Sequence, residues 1–376
     1  MPRLLTTLAS LLILGVTLVT GPFISSVAAA EPPAAGESFE AASARLDGLV
    51  EQMSALREKF PTAAPADQQG IIKQHDAIVG QVQEMLPMVK AAAEREFLAA
   101  PESSEKQAQF LVAMVAHAVQ SDRYEEGDRL ARMLAKHNIK ERGLEELAAT
   151  AAFMTSDFER AEKLFAAAAA DNALAQQGQS YRLAIDYYKK LWKEEQAFRA
   201  AEAKADDLPR VKLETSKGDI VLELFENEAP NTVANFISLV DKKYYDGLTF
   251  HRVLPGFMAQ GGCPDGTGGG GPGYRIKCEC QNEVHRKHFR GTLSMAKTPA
   301  PHTGGSQFFL CFIPTQQLDG KHTAFGRVIE GLDVLAELQR RDPSSRQAQS
   351  IKPDTIKKAT VIRRRNHEYT PETLAE

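Results

Sequence analysis

The segment TFHRVLPGFMAQGG, residues 249–262, places polar side chains that could do chemistry among closely spaced apolar ones. The polar side chains are His251, Arg252 and Gln260. A few aimed polar groups among apolar side chains are typical of a binding pocket. Arginine stays charged at every relevant pH and donates from a planar fork, so Arg252 could polarise a bound group. The segment therefore predicts one wall of an apolar pocket with a fixed cationic donor.

Three further motifs follow this segment in order: GTLSMA from Gly291, GGSQFF from Gly304 and LDGKH from Leu318. Together the four motifs resemble those of the cyclophilin-type peptidyl-prolyl isomerases, and the resemblance covers residues 209–366, about two-fifths of the chain. It implies a closed, antiparallel, eight-stranded barrel with two helices and an active site on its outer face. Many short strands separated by Gly and Pro, with two helical runs, also favour such a barrel.

The resemblance implies a role for each site residue. It makes Arg252 the catalytic donor toward the prolyl nitrogen or the preceding carbonyl oxygen, with Gln260 as the residue that orients it. His322 is the third residue of the catalytic set and also lines the proline pocket. Ala296 and Lys297 match the stretch whose backbone pairs with an extended substrate. The residues implied to bind substrate are His251, Phe257, Met258, Ala296, Lys297, Gln307, Phe309 and Leu318.

Rotation about an X–Pro bond needs no nucleophile and no proton removal, only passage over a torsional barrier of roughly 20 kcal/mol. A pocket that holds the proline ring and a cationic donor that draws the nitrogen lone pair out of resonance can lower that barrier. We therefore expect no cofactor and no metal, and proline-containing polypeptides as substrates. The alternative function is a module that binds proline segments on a helical scaffold without turnover.

One position departs from the better-known members of the family. Eukaryotic cyclophilins that are sensitive to cyclosporin usually have a tryptophan where this chain has Gln317. A glutamine cannot supply the same flat apolar wall or the indole N–H donor. Isomerase activity is still expected, because many bacterial members also lack the tryptophan, whereas tight cyclosporin binding is not implied.

A second cluster, CECQNEVHRKH, contains Cys278, Cys280, His285 and His288, which are acceptable zinc ligands. Their spacing is more cramped than that of known structural zinc sites, so we interpret the cluster as a solvated loop and strand end. A disulfide is the remaining alternative, with Cys263 as the partner of Cys278 or Cys280. The neighbouring glycine-rich run GTGGGGPG lacks the Lys-Ser/Thr of a P-loop and predicts a flexible rim loop.

Two local patterns predict elements within the barrel region. RVKLETSKGDIVLELF, from Arg210, alternates apolar residues around SKGD and indicates a β-hairpin. APNTVANFISLV, from Ala229, predicts a short helix with Asn231 or Thr232 as its N-cap.

The first thirty residues have the layout of a secretory signal. A charge-free run from Leu4 to Ala30 follows Arg3, has an apolar centre and ends in three alanines before Glu31. We expect residues 1–30 to be removed and the mature protein to be exported, either periplasmic or secreted. The alternative is an uncleaved segment that anchors the protein in a membrane. A formal net charge of −4 gives no reason to expect nucleic acid as a partner.

We expect the part of the chain before the barrel to be all-α, because Ala, Leu, Glu and Lys dominate it. Residues 37–100 predict a helical hairpin and residues 101–205 a tetratricopeptide-like region, while residues 367–376 form a C-terminal tail. The fold class is therefore a multidomain chain with helices followed by a mainly-β barrel.

The tetratricopeptide-like region is predicted from an internal repeat. Two segments align without gaps at an offset of 34 residues, which pairs Tyr124 with Phe158 and Gly127 with Ala161. An aromatic residue followed three positions later by a small one resembles tetratricopeptide helix pairs. Such arrays bind proteins, so we expect this region to hold a client or partner chain.

Overall fold

The computed structural model describes residues 36–345, 348 and 350–375, and the expected signal segment lies outside them. The chain divides into two compact units. The first comprises the described residues up to Gln120, with Tyr124–Ala151 and Ala167–Ala175. The second comprises Ser121–Arg123, Ala152–Ala166 and the described residues from Gln176 onward. The domain boundaries expected from the sequence remain predictions.

Helices account for most of the chain before residue 206, which confirms the predicted all-α region. They are α1 (Phe39–Lys59), α2 (Pro65–Ala99), α3 (Glu105–Gln120), α4 (Tyr124–Lys136), α5 (Leu144–Met154), α6 (Phe158–Ala170) and α7 (Gln176–Ala205). Along α1 the apolar side chains of Leu46, Leu49, Val50 and Met53 are buried. No helix within the described ranges is both long and apolar enough to cross a membrane.

The pairs α3–α4 and α5–α6 occur at the positions of the sequence repeat. Their turns correspond, because Asp122 (φ 62°) and Ser156 (φ 66°) both adopt the left-handed conformation. Gly127 lies close against α3, since a Cβ at this position would stand 3.3 Å from Val119 Cγ2. Helices α3 and α4 therefore approach each other closely at this small residue. The tetratricopeptide class and a partner for it remain predictions.

The second unit contains an eight-stranded antiparallel sheet, as predicted. Its strands are β1 (Arg210–Thr215), β2 (Asp219–Leu224), β3 (Arg252–Leu254), β4 (Met258–Gly261), β5 (Thr292–Met295), β6 (Phe308–Cys311), β7 (Ala324–Glu330) and β8 (Ile356–Arg363). They are ordered β3-β4-β6-β5-β7-β2-β1-β8. The sheet curls so that its edge strands approach each other, and an isolated bridge between Thr249 and Thr355 joins the segments that lead into β3 and β8.

Two helices, α8 (Pro230–Asp241) and α9 (Leu332–Glu337), accompany the sheet. The ring of Phe236 on α8 packs against Tyr245, Phe308 and Phe325, with centroid distances of 5.0, 5.6 and 5.4 Å. These residues belong to the apolar core enclosed by the curled sheet. Burial of such aromatic surface contributes strongly to the stability of the barrel.

The predicted N-cap of α8 is wrong. The helix begins at Pro230, its N-cap residue is Ala229, and no side chain of the cap residue bonds to it. Glu279 supplies the acceptors instead, because its carboxylate accepts from the backbone N–H of Asn231 at 3.1 Å and of Thr232 at 2.8 Å. A carboxylate from the CEC loop therefore satisfies the free N–H groups of this helix.

Helix α7 is joined to the barrel by buried ion pairs. The side chain of Arg286 is 0% exposed, and its Nη2 lies 2.8 Å from Glu195 Oε1. Arg286 also bonds Glu202, whose other oxygen lies 2.6 Å from Arg327 Nη1. Burial alone would raise the pKa of Glu195, but the charge of Arg286 holds it below its ordinary value. Each charge is thus compensated, as buried ions require.

Replacing Arg286 with alanine should destabilise the second unit by about 3 kcal/mol, because the buried carboxylates of Glu195 and Glu202 each lose one of their charged partners. Chemical denaturation measures the change. Arg364→Ala is the matched control, since Arg364 and its partner Asp241 have side chains that are 48% and 44% exposed. Loss of this exposed pair should cost less than about 1 kcal/mol. Equal losses in the two variants would contradict the prediction.

Candidate functional site

Strand β6 divides its side chains between two apolar clusters. Phe308 and Leu310 point into the barrel core, whereas Phe309 and Cys311 belong to a separate cluster, because successive side chains of a strand face opposite ways. We call the separate cluster the outer cluster, since it lies on the side of the sheet away from the core. Its members are Met258, Phe309 and Cys311, which are buried, and Leu254, Phe257, Ala296 and Leu318, which are half-buried.

Phe309 lies between two imidazole rings. His288 stacks on it with ring centroids 6.0 Å apart, and His322 meets it edge-on at 5.5 Å. His288 is itself fixed, since Nδ1 lies 2.8 Å from Asp319 Oδ1 and Nε2 lies 2.9 Å from Ser294 Oγ. His288 therefore packs against Phe309 of the outer cluster in a fixed position. The motifs did not assign it this role, and its place in a Cys/His-rich run pointed elsewhere.

His322 contributes a neutral ring to the site. Its Nδ1 lies 3.0 Å from the carbonyl oxygen of Met295, and because a carbonyl only accepts, Nδ1 carries the proton. Burial lowers the pKa of His322, and the positive charge of Lys297 lowers it further. At neutral pH the ring therefore presents an uncharged aromatic edge to the cluster.

Arg252 lies at the rim of the outer cluster. It is the first residue of β3, and its cross-strand partner on β4 is Gln260. Its Cζ lies 6.0 Å from the centroid of the Phe257 ring, and its side chain is half-buried. A guanidinium in this position can contact a ligand that sits on Phe257 and Phe309.

A chain of side-chain amides runs away from this rim. Gln260 Nε2 donates to Gln307 Oε1 at 2.9 Å, so its hydrogen bond goes to Gln307 rather than to Arg252, the expected partner. Gln307 Nε2 in turn donates to the carbonyl oxygens of Gly268 and Gly270, at 2.8 and 2.9 Å. The glycine-rich run expected to form a flexible rim is thereby tied to the site.

Ala296 and Lys297 continue from β5 beside the cluster. The N–H of Ala296 donates to the carbonyl oxygen of Gln307 at 2.9 Å and is therefore already used within the protein. Lys297 Nζ donates to the carbonyl oxygen of Thr298 at 3.1 Å. Backbone pairing with an extended ligand would consequently depend on the carbonyl group of Ala296 and on the backbone of Lys297.

His251 is placed differently from the other assigned residues. Its ring is 2% exposed, and neither ring nitrogen has a hydrogen-bond partner among the described residues. Nε2 lies under Gly268, 3.5 Å from the point where a Cβ at that glycine would stand. Burial, followed by the charges of Arg341 and Arg252, lowers the pKa of His251 to about 4. The ring thus lies beneath the glycine-rich run as a neutral, uncompensated group.

The edge of the cluster that carries Gln317 is a 3₁₀ turn, Gln316–Leu318. Gln317 is exposed to solvent, while Leu318 packs on the outer cluster. The N–H of Gln316 lies 3.4 Å from the hydroxyl oxygen of Tyr188 on α7. Burial raises the pKa of Tyr188 to about 12, which keeps this hydroxyl protonated. A helical tyrosine far away in sequence gave no signal of this contact.

Two of the thiol groups considered for a zinc site or a disulfide accept hydrogen bonds from backbone N–H groups. Cys278 Sγ accepts from the N–H of His302 at 3.0 Å, and Cys263 Sγ accepts from the N–H of Gly268 at 3.2 Å. All four cysteines are free, so Cys263 is not joined to Cys278 or Cys280 in this structure. Across the described part of the chain, no group of three His, Cys, Asp or Glu side chains is arranged to hold a metal ion.

The similarity of this chain to known proteins lies in the barrel. A family model described as cyclophilin-type peptidyl-prolyl cis-trans isomerase/CLD matches residues 210–361. A peptidyl-prolyl cis-trans isomerase of Synechococcus elongatus is 57% identical over 132 residues, 35% of this chain and 88% of the relative. Peptidyl-prolyl cis-trans isomerase B of Bacillus subtilis is 53% identical over 123 residues, 33% of this chain and 85% of the relative. A crystal structure of a Cryptosporidium parvum isomerase of this type is 33% identical, covers 41% of this chain and 97% of its own, and has a TM-score of 0.37.

His251 should make the stability of the second unit depend on pH. An unfolded imidazole titrates near pH 6.5, whereas the folded pKa of His251 is about 4. Between these values the unfolded chain binds more protons, so the free energy of unfolding should fall as the pH drops, by up to about 3 kcal/mol. In His251→Phe the fall measured by chemical denaturation should be shallower in this window. NMR showing that folded His251 protonates near pH 6.5 would contradict the assignment.

Proposed function

Because the chain belongs to the cyclophilin-type peptidyl-prolyl cis–trans isomerases, we propose that its outer cluster binds the proline ring and that Arg252 is the catalytic donor. The substrate is an X–Pro segment of a polypeptide, and the reaction is rotation about the bond that precedes proline. The proposal is supported above all by one observation. The guanidinium carbon of Arg252 lies 6.0 Å from the centroid of the Phe257 ring, at the rim of an apolar cluster separate from the barrel core.

The cluster provides the shape that the proline ring needs. Phe309 is buried on its floor, while Phe257 and Leu318 are half-buried and leave apolar surface for a ligand. A proline ring held on this surface displaces water. The interaction between the adjoining amide and a nearby charge is then stronger. The carbonyl group that precedes proline remains free to rotate, since only the ring is gripped.

The charge acts on the amide nitrogen. Amide resonance gives the C–N bond its double-bond character, and rotation removes the lone pair from that resonance. A donor placed toward the prolyl nitrogen stabilises the localised lone pair and hence the transition state more than the planar ground state. No proton is transferred in this rotation, so His322 is not needed as an acid or a base. His322 then serves as an aromatic wall beside Phe309.

Arg252→Ala should lower kcat/KM on an Ala-Pro tetrapeptide by about 100-fold, because one preorganised donor is lost. Protease-coupled or NMR-exchange assays measure the rate. Arg252→Lys keeps the charge but not the planar fork, so it should recover only part of the activity.

Arg364→Ala is the matched control for this series, because its guanidinium pairs with Asp241 on an exposed surface. It should keep the rate of the unaltered protein. Equal turnover by Arg252→Ala and the unaltered protein would instead favour a module that binds proline segments without catalysis.

We further propose that the protein acts outside the cytoplasm, after removal of residues 1–30. The support is the charge-free run that ends in Ala28, Ala29 and Ala30 before Glu31. The mature chain should then begin at Glu31, and mass spectrometry of the protein from its natural host would measure this. Recovery of the intact chain in the membrane fraction would favour the uncleaved anchor.

We also propose that the helical region holds client polypeptides near the barrel, which would raise their effective concentration there. The support is the repeat of helix pairs, in which Asp122 and Ser156 occupy equivalent turns. Nothing in this role depends on proline.

An unfolded polypeptide that lacks proline should therefore compete with a protein client. Added to the full chain, it should slow catalysed refolding of a proline-limited client and leave turnover of a tetrapeptide unchanged. Refolding fluorescence and the peptide assay measure the two rates. If neither rate changes, clients are held by the barrel alone, and if both fall equally, the competitor occupies the proline site.

A further inference from the structure

The turn between β3 and β4 carries part of the proposed proline site but has little support of its own. Arg252 precedes it and Phe257 follows it, while Pro255 and Gly256 at its tip are exposed. Gly256 has a left-handed φ of 62°. The ladder of β3 with β4 spans only three residue pairs, so this hairpin has few bonds to hold its two functional side chains in register.

Asp122 supplies a bond at the tip of this turn. The N–H of Gly256 donates to Asp122 Oδ1 at 2.9 Å, although the two residues are 134 positions apart in sequence. Asp122 is 1% exposed and belongs to Ser121–Arg123, which is part of the same compact unit as the barrel. A buried carboxylate that accepts from a backbone N–H forms a strong, charge-assisted bond.

Arg340 holds the carboxylate of Asp122 in place. Its Nη2 lies 2.7 Å from Asp122 Oδ2 and donates to the carbonyl oxygen of Ser121 at 3.0 Å. The guanidinium carbon lies 4.5 Å from the centroid of the Phe312 ring. The N–H of Phe312 donates to the carbonyl oxygen of Phe257 at 2.9 Å. Asp122 therefore contacts the turn at Gly256, and Arg340 packs on Phe312, which bonds the residue that follows the turn.

Arg341, the residue that follows Arg340, holds the outer edge of β3. Arg341 exchanges two backbone hydrogen bonds with Val253, each 2.8 Å long, and its Nη1 donates to the carbonyl oxygen of His251 at 2.6 Å. The strand is thus fixed on both sides, and the free part of the hairpin is the tip at Gly256. Asp122 acts at that tip.

We propose that Asp122 is a positioning residue for the isomerase site: through Gly256 it fixes the turn that sets Phe257 against Arg252. The inference rests on the proposed role of these two side chains. It assigns a part of the active-site support to a residue outside the matched family range, which begins at residue 210. Small displacements of such groups lower rates strongly, because the reacting atoms must meet in a defined geometry.

The repeat offers a suitable truncation for the test. Ser156 occupies the equivalent turn position, with a φ of 66°, so serine is compatible with this backbone. Asp122→Ser is too short to reach Gly256 and Arg340 together. Asp122→Asn keeps an oxygen that can accept from Gly256 but loses the charge that pairs with Arg340. Arg123→Ala is the control, since Arg123 lies in the same segment and pairs with Glu337 at 2.6 Å instead of touching the turn.

Asp122→Ser should lower kcat/KM on an Ala-Pro tetrapeptide by about tenfold. Amide hydrogen exchange at Gly256 should accelerate, and the NMR signals of Arg252 and Phe257 should shift. Asp122→Asn should keep most of the activity and of the exchange protection. Arg123→Ala should match the unaltered protein in all three measurements.

Three results would overturn the proposal. The first is unchanged turnover in Asp122→Ser, and the second is an equal loss in Arg123→Ala, which would assign the effect to general anchoring of the segment. The third is an equal loss in Asp122→Asn, which would assign it to the ion pair with Arg340. If Arg252→Ala retains full activity, the proposed function itself fails. If Arg252→Ala loses activity and Asp122→Ser does not, only the role of Asp122 is removed.

Discussion

The structure depends on the two-residue alternation of its short barrel strands. In β6 the aromatic side chains Phe308 and Phe309 are neighbours in sequence but serve opposite faces, one the core and the other the outer cluster. A shift of register by one residue would exchange these roles, and the core and the site would be lost together. The outer cluster therefore requires that the strands of the barrel be correctly paired.

Burial sets the charge state of the two histidines that were assigned to the site. His322 and His251 both have pKa values below the ordinary range for histidine, chiefly because of burial, so neither adds a charge near neutral pH. Arg252 places a positive charge beside this apolar surface. Under the proposed function it would act on a bound amide without a second charge from these imidazoles.

Much of this could be predicted from the sequence, because the motifs are local. The segment from Thr249 to Gly262 contains both strands of the hairpin that carries Arg252 and Phe257, and GGSQFF contains Phe309 on the neighbouring strand. The outer cluster brings together Phe257, Met258, Ala296, Phe309 and Leu318, all of which were assigned to substrate binding. Their roles in binding remain predictions.

The supporting contacts could not be predicted in the same way. Glu279 caps a helix that begins 49 residues earlier, and Arg286 meets Glu195 at a separation of 91 residues. Such pairs leave no periodic or spaced pattern, because each partner is an ordinary charged residue within its own segment. The local rule that a Ser, Thr, Asp or Asn at the helix start caps the helix failed at Asn231 and Thr232 because the helix already begins at Pro230. Their N–H groups are therefore among those that need an acceptor, and the distant carboxylate of Glu279 supplies it.

The buried pairing of Arg286 with α7 also bears on how such a barrel can be exchanged between proteins by recombination. A transfer of residues 210–361 alone would carry a guanidinium that is 0% exposed into a chain without Glu195 and Glu202. Such a transfer would also leave behind Phe198 of α7, whose ring lies 4.7 Å from the guanidinium carbon, so Arg286 would lose both carboxylates and part of its cover. A transfer that keeps these interactions has to include α7, which begins at Gln176.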